Sequence, residues 1–90
     1  MLILETTSQF RRDYKLMMKR GLRRDLIETV VDKLLNDIPL GSAYRDHALT
    51  GNYAGFRECH IQPDWLLIYK IDRDRLVLVA QRTGTHSDLF

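Results

Sequence analysis

The sequence predicts an α+β fold of order β-α-α-β-β-β, and three observations carry that prediction. Two stretches with helical spacing of apolar residues stand in the first half of the chain. Two nearly unbroken apolar runs, WLLIYKI and LVLVA, stand in the second half on either side of the charged IDRDR, as paired buried strands do. Before them GFRECHI alternates between apolar and polar residues, the period of a strand with two unlike faces.

The elements follow in order. LILE near the start reads as a short strand, after which Thr6, Thr7 or Ser8 caps a helix with Phe10, Tyr14, Met17 and Met18 at i, i+4, i+7 and i+8. Gly21 ends that helix. The next carries Leu26, Ile27, Val30, Val31, Leu34, Leu35 and Ile38, a stripe wide enough to cover a sheet, and Pro39 with Gly41 closes it. With so short a joint the two helices form an antiparallel hairpin. Residues 40–55 have no period and are rich in Gly, Ser, Asn and Thr, so they read as a long loop. In the strand after it, Phe56, Glu58 and His60 share one face, and Arg57, Cys59 and Ile61 the other. Gln62-Pro63-Asp64 makes a turn into WLLIYKI, and IDRDR is a hairpin loop.

Ninety residues suit one domain, spanning 1–90, with a modest core. With 44% apolar and 29% charged residues the chain has the composition of a globular domain, and no stretch approaches the ~20 apolar residues of a membrane helix. MLIL is followed at once by Glu5, which does not fit a secretory signal, so a cytoplasmic location without membrane partners is expected. The single cysteine, Cys59, agrees with a reducing compartment; it is expected to point into the core beside Ile61 as an inert residue. The net charge of +2 hides an asymmetry. The first 24 residues carry Arg11, Arg12, Lys15, Lys19, Arg20, Arg23 and Arg24 against Glu5 and Asp13, a balance of +5, and the rest sums to −3. Such a cluster is either a solvated helix face or an electrostatic footprint for a polyanion.

All three histidines, His47, His60 and His86, lie outside both helices, in the loop, on a strand end and past the last strand. Rigid sheets present reactive groups from such positions. Asp64, four residues after His60, can orient an imidazole. Two or more imidazoles supply an acid and a base near neutral pH, which is what RNA cleavage by the substrate's own 2′-hydroxyl needs, with Arg82, Arg57 or Lys70 steadying the phosphorane. That chemistry takes no cofactor and no metal; the spacings of the histidines match no compact ligand pair such as HExxH. Trp65 and Phe56 are expected in the core or at its rim rather than as base-stacking platforms.

YRDHALTGNYAGFRECHIQPDWLLIYKI, together with QRTGTHSDLF, closely resembles the YafQ-type toxins of the RelE/ParE superfamily. The likeness is tightest over residues 44–90 and extends more loosely to the helical hairpin. It implies a RelE-like fold: a small twisted, mainly antiparallel sheet with the two helices on one side. It implies the toxin of a bacterial type II toxin–antitoxin pair, a ribosome-dependent endoribonuclease that cuts messenger in the decoding site and so inhibits translation. The family's site falls on His47, His60, Asp64, His86 and Phe90, with Phe90 as a stacking or positioning ring. Of these, His86 is expected to act as general acid, Asp64 or His60 as base, and His47 as a phosphate or 2′-hydroxyl contact. The basic Arg11, Arg12 and Lys15 would then meet ribosomal RNA. The implied partners are a cognate antitoxin, the ribosome and messenger, with operator DNA reached only through the antitoxin complex. The alternative is a non-catalytic member, a gyrase poison or an RNA- or antitoxin-binding module, for which three histidines have no use.

Overall fold

A computed structural model describes all 90 residues. The chain forms β1 (Ile3–Thr6), α1 (Ser8–Lys19), α2 (Arg24–Leu35), β2 (His47–Ala48), β3 (Arg57–Gln62), β4 (Trp65–Asp72), β5 (Val77–Gly84) and α3 (His86–Leu89), with single 3-10 turns at Ser42–Tyr44 and Gly51–Tyr53. The five strands make one sheet in the order β1-β5-β4-β3-β2, in which β1 runs parallel to β5 and every other pair is antiparallel. The expected elements are therefore all present. Two are added: the two-residue β2 inside the long loop and the single turn of α3 at the C-terminus.

The helix boundaries have local causes. Thr7 accepts the Phe10 N–H at 2.9 Å and so caps α1. Both long helices end in the same pair of backbone bonds, which requires one residue in the left-handed region. In α1 that residue is Gly21 (φ 83°), with Leu22 N–H reaching Met17 O; in α2 it is Asp37 (φ 55°), with Ile38 N–H reaching Lys33 O. The second case corrects the expected length of α2. Ile38 belongs to the stripe by spacing, but the chain has already turned at Asp37, and Ile38 is 48% exposed.

Alternation decides what each sheet face touches. Cys59, Ile61, Trp65, Leu67, Tyr69, Leu78 and Ala80 pack beneath Phe10 and Met17 of α1 and Ile27, Val30 and Leu34 of α2 in the main core. Burial pushes the Cys59 thiol up to about 12, so it is a packing group. Trp65 is buried among these, its Nε1–H donating to Thr83 Oγ1 at 2.9 Å. The opposite face carries only Leu66, Ile68 and Leu89, flanked by Leu49, Tyr53 and Phe56. This thinly covered face holds the polar side chains. No helix is long and apolar enough to cross a membrane.

Candidate active site

Strand register assembles the site. His47 of β2 lies opposite Glu58 of β3, His60 of β3 opposite Leu66 of β4, and Leu66 opposite Gly84 of β5. Continuing the β4–β5 register beyond the last pair sets Asp64 against His86. Because side chains two residues apart share a face, His47, Glu58, His60, Asp64 and His86 converge although up to 39 residues separate them. The ring centroids of His47 and His60 are 6.4 Å apart, and those of His60 and His86 5.6 Å. A register irregularity between His60 and Gln62 lets the strand turn sharply into Pro63 and Asp64.

Each imidazole is held by its Nδ1, which frees Nε2. His47 Nδ1–H donates to Arg45 O at 2.6 Å, a carbonyl aimed by the left-handed Arg45 (φ 47°). His60 Nδ1–H donates to Pro63 O at 3.2 Å. His86 Nδ1–H donates to Asp64 Oδ1 at 2.6 Å, and the His86 backbone N–H donates to the same oxygen at 3.0 Å. Carbonyl oxygens only accept, so the first two tautomers are fixed by their partners. The His86 backbone N–H, and then its ring, hold the Asp64 carboxyl below the usual carboxylate range, so Asp64 is an acceptor at neutral pH.

Glu58 stands in the middle, and sequence reasoning passed over it. Its side chain is 6% exposed, and its Oε1 lies 3.6 Å from His47 Nε2 and 3.6 Å from His60 Nε2. The alternation of GFRECHI had already put it on the face of His60; a carboxylate two residues from a proton-carrying histidine was the available signal. One donor atom each of Glu58, His60 and His86 lie within 4.8 Å of one another, a spacing that fits a shared cation.

The remaining candidates are distributed around this centre. Phe90 is 66% exposed and meets the edge of Tyr53 at 6.0 Å between centroids, while Tyr53 also meets Phe56 at 6.2 Å. Lys70 Nζ sits 5.1 Å over the Phe56 ring, on the site face. Arg82 crosses the sheet edge to α1, where its Nε and Nη2 donate to the two oxygens of Asp13 at 2.8 and 3.0 Å. That pairing, Asp13 first, holds the guanidinium above its ordinary range. Arg57 is turned to the helix-covered face, donating to Asp46 at 3.1 Å beside Tyr69, so the structure does not bring it to the histidines. Asp46 also accepts the Tyr69 hydroxyl, which anchors the loop immediately before His47. Arg11, Arg12 and Lys15 lie on the solvent side of α1, with Arg11 Nη1 donating to Thr6 O.

Comparison with known proteins agrees along the full length. The family described as bacterial toxin of type II toxin-antitoxin system, YafQ, matches residues 2–90. The chain is 41% identical over 88 residues to the mRNA interferase toxin YafQ of Escherichia coli, covering 97% of this chain and 94% of that one. Among solved structures it is similar to a metal-bound toxin from Helicobacter pylori, with a TM-score of 0.94 and 42% identity, each chain covered entirely. It is also similar to YafQ in the E. coli DinJ–YafQ complex, with a TM-score of 0.90 and 37% identity, covering 100% of this chain and 99% of that one. With this likeness spanning nearly every residue, and with the three histidines and Asp64 gathered on one sheet face, the chain belongs to the YafQ family of bacterial type II toxin–antitoxin toxins.

Proposed function

We propose that residues 1–90 act as a single cytoplasmic toxin domain that cuts messenger RNA on the ribosome by metal-independent acid–base catalysis, with the substrate 2′-hydroxyl as nucleophile. The observation that carries this reading is the pairing of two imidazoles with two carboxylates. His86 Nδ1 is held by Asp64 at 2.6 Å, the Glu58 carboxylate lies 3.6 Å from His60 Nε2, and the Nε2 atoms of both histidines are left without a hydrogen bond. The endoribonuclease activity itself is supported by the relative's name, mRNA interferase.

The roles follow from these partners. Nε2 of His60 takes the 2′-hydroxyl proton as the oxygen attacks the adjacent phosphorus, and Glu58 stabilises the imidazolium that forms. His86, oriented by Asp64, gives the Nε2 proton to the departing 5′-oxygen. The bond to the 5′-oxygen breaks as the 2′-oxygen bond forms, leaving a 2′,3′-cyclic phosphate. Asp64 already accepts two hydrogen bonds, which suits an orienting role better than that of a base. His47, its tautomer fixed by Arg45, contacts phosphate. Lys70 and Arg82 are the cations proposed to steady the phosphorane; Phe90 with Tyr53 offers a ring surface for a base. A cognate antitoxin is the expected partner, by analogy with the DinJ–YafQ complex, and operator DNA would be met through that complex.

Primer extension on a messenger incubated with the protein, with and without ribosomes stalled at defined codons, tests the reading. Discrete cuts inside codons only when ribosomes are present support it. Absence of cuts with folded protein favours the non-catalytic binding module.

Two further results are expected. Reversal of Arg11, Arg12 and Lys15 to glutamate weakens ribosome association and flattens its dependence on salt, because fewer counterions are released; pelleting of the protein with ribosomes across a salt series measures this. Zinc ions, added in micromolar excess, inhibit cleavage, and a zinc-selective chelator that spares magnesium restores it. A cation seated between Glu58, His60 and His86 occupies the nitrogen lone pairs that proton transfer needs. Loss of zinc binding in Glu58→Gln, measured by calorimetry, assigns the inhibition to this cluster.

A further inference from the structure

The segment that carries both His86 and Phe90 is held at its start by the Asp64 carboxylate and near its end by the buried Leu89, with one further anchor between them. α3 is four residues long, and a single turn is not stable on its own in water. The further anchor is Asp88, which makes two kinds of contact. Within the turn, Asp88 Oδ2 accepts the Thr85 N–H at 2.9 Å and the Thr85 hydroxyl at 3.0 Å, while the Asp88 N–H donates to Thr85 Oγ1 at 3.2 Å, closing a capping box. Across the molecule, Arg20 Nη1 and Nη2 donate to Asp88 Oδ2 and Oδ1 at 2.7 and 3.1 Å. The Arg20 fork, and then the Thr85 N–H, hold the Asp88 carboxyl far below the carboxylate range. Arg20 is the C-cap residue that follows the basic helix, 68 positions from Asp88.

A second, independent feature serves the same seat. Gly84 has an ordinary φ, so no backbone strain requires glycine there. What requires it is space: a Cβ on Gly84 would stand 2.9 Å from Asp88 Cβ and 3.1 Å from Asp88 Oδ2. Gly84 is also the β5 residue paired with Leu66, whose other neighbour is His60. The carboxylate that helps fix the tail thus sits at the β5 position two strand pairings from the imidazole proposed as base, in the same row across the sheet. Charge from one side and vacant space from the other define a single position for the turn.

We propose that Arg20 is a positioning residue for the reaction: its fork on Asp88, seated against Gly84, sets His86 and Phe90 over the sheet and ties the end of the basic helix to the general acid. This rests on the catalytic role given above to His86. Arg20 is half-exposed and makes no core contact, so its substitution leaves the fold intact. Misplacement of a reacting group by 1 Å costs about 100-fold in rate; freeing a turn that still retains its capping box costs less, about 10-fold in kcat.

The test compares Arg20→Ala, Arg20→Lys, Asp88→Asn and Gly84→Ala by ribosome-dependent cleavage and by hydrogen exchange of the Leu89 and Phe90 amides. The expected result is a lowered kcat with nearly unchanged KM in Arg20→Ala, partial recovery in Arg20→Lys, and faster exchange confined to residues 85–90 in all but the lysine variant. Asp88→Asn separates positioning from simple attraction to RNA. It makes the surface more positive, so an Arg20 that only attracts ribosomes predicts opposite effects on KM for Arg20→Ala and Asp88→Asn, whereas the latch predicts a kcat loss in both. A loss confined to KM, or unchanged tail exchange in Arg20→Ala and Gly84→Ala, overturns the proposal. If the parent protein cuts no messenger, the catalytic reading fails, and the exchange measurement still decides whether Arg20 holds the tail.

Discussion

His86→Ala lowers the rate of messenger cleavage about 10²–10⁴-fold while leaving ribosome association intact, as expected for loss of a general acid. Single-turnover cleavage of a programmed ribosome and co-sedimentation measure the two quantities separately. Binding survives because His86 is exposed and its side-chain hydrogen bond goes to Asp64, so its removal disturbs no core packing. His86→Gln keeps a donor of similar reach but cannot release a proton, and it is expected to be as inactive as the alanine variant. Asp64→Asn should fall between these variants and the parent: it preserves an acceptor for Nδ1–H but removes the charge that stabilises the imidazolium. Parallel loss of cleavage and of ribosome binding in His86→Ala would make His86 a contact residue instead.

Asp13→Ala carries the largest expected cost in stability. The carboxylate side chain, 9% exposed, accepts Arg82 Nε and Nη2, the buried Thr83 N–H at 3.2 Å and Gln9 Nε2 at 3.0 Å. Its removal strands a partly buried guanidinium and an amide donor together. Such losses sum to about 2–4 kcal/mol, or roughly 10–25 °C in Tm for a domain of this size. The pH dependence has a defined sign. Burial alone would raise the Asp13 pKa, but hydrogen bonds from Arg82, Gln9 and Thr83 outweigh it and bring it below its ordinary value. A carboxyl depressed in the folded state contributes stability that is fully present above its unfolded pKa, about 3.9, and lost as pH falls through the folded pKa. Urea midpoints should therefore drop more steeply below about pH 4 in the parent than in Asp13→Asn. Equal slopes would show that Asp13 is not the group that titrates.

This ion pair also explains part of what the sequence did not reveal. Asp13 reads as one acid among basic residues on a helix, and Arg82 as a free cation after an apolar strand. They meet because β1 pairs only with residues 77–80, so the last part of β5 is left for α1 to cover. The apolar periodicities, by contrast, were legible directly: both helices, β3, β4 and the start of β5 follow from where Phe10, Val30, Cys59, Leu67 and Leu78 must be buried. β5 extends past LVLVA through the polar Gln81–Gly84, where backbone pairing with β4 and the Thr83–Trp65 hydrogen bond compensate for missing apolar side chains.

The site was legible in its histidines and not in its centre. His47, His60 and His86 stood out because imidazoles at loop and strand ends are chemically conspicuous. Glu58 did not, because an acidic residue in an alternating strand resembles a solvated position until β2 and β4 are in place on either side. β2 itself is two residues long and has no period to read. Arg57 and Lys70 were both expected to steady the phosphorane, although the alternation of GFRECHI already set Arg57 on the face opposite His60; strand parity sends Lys70 to the site face and Arg57 to Asp46.

The central claim is that the substrate's own 2′-hydroxyl is the nucleophile and that no metal is needed, and one measurement meets it most directly. Ribosomes are programmed with a messenger bearing a single 2′-deoxynucleotide on the 5′ side of the cleaved bond and treated with the protein, beside the all-ribose messenger, with magnesium kept for the ribosome and transition metals removed by a zinc-selective chelator. The account predicts a cut with a 2′,3′-cyclic phosphate end in the all-ribose message and none at the deoxy position. Cleavage of the deoxy message at the same bond would contradict it, since water would then have to be the attacking group.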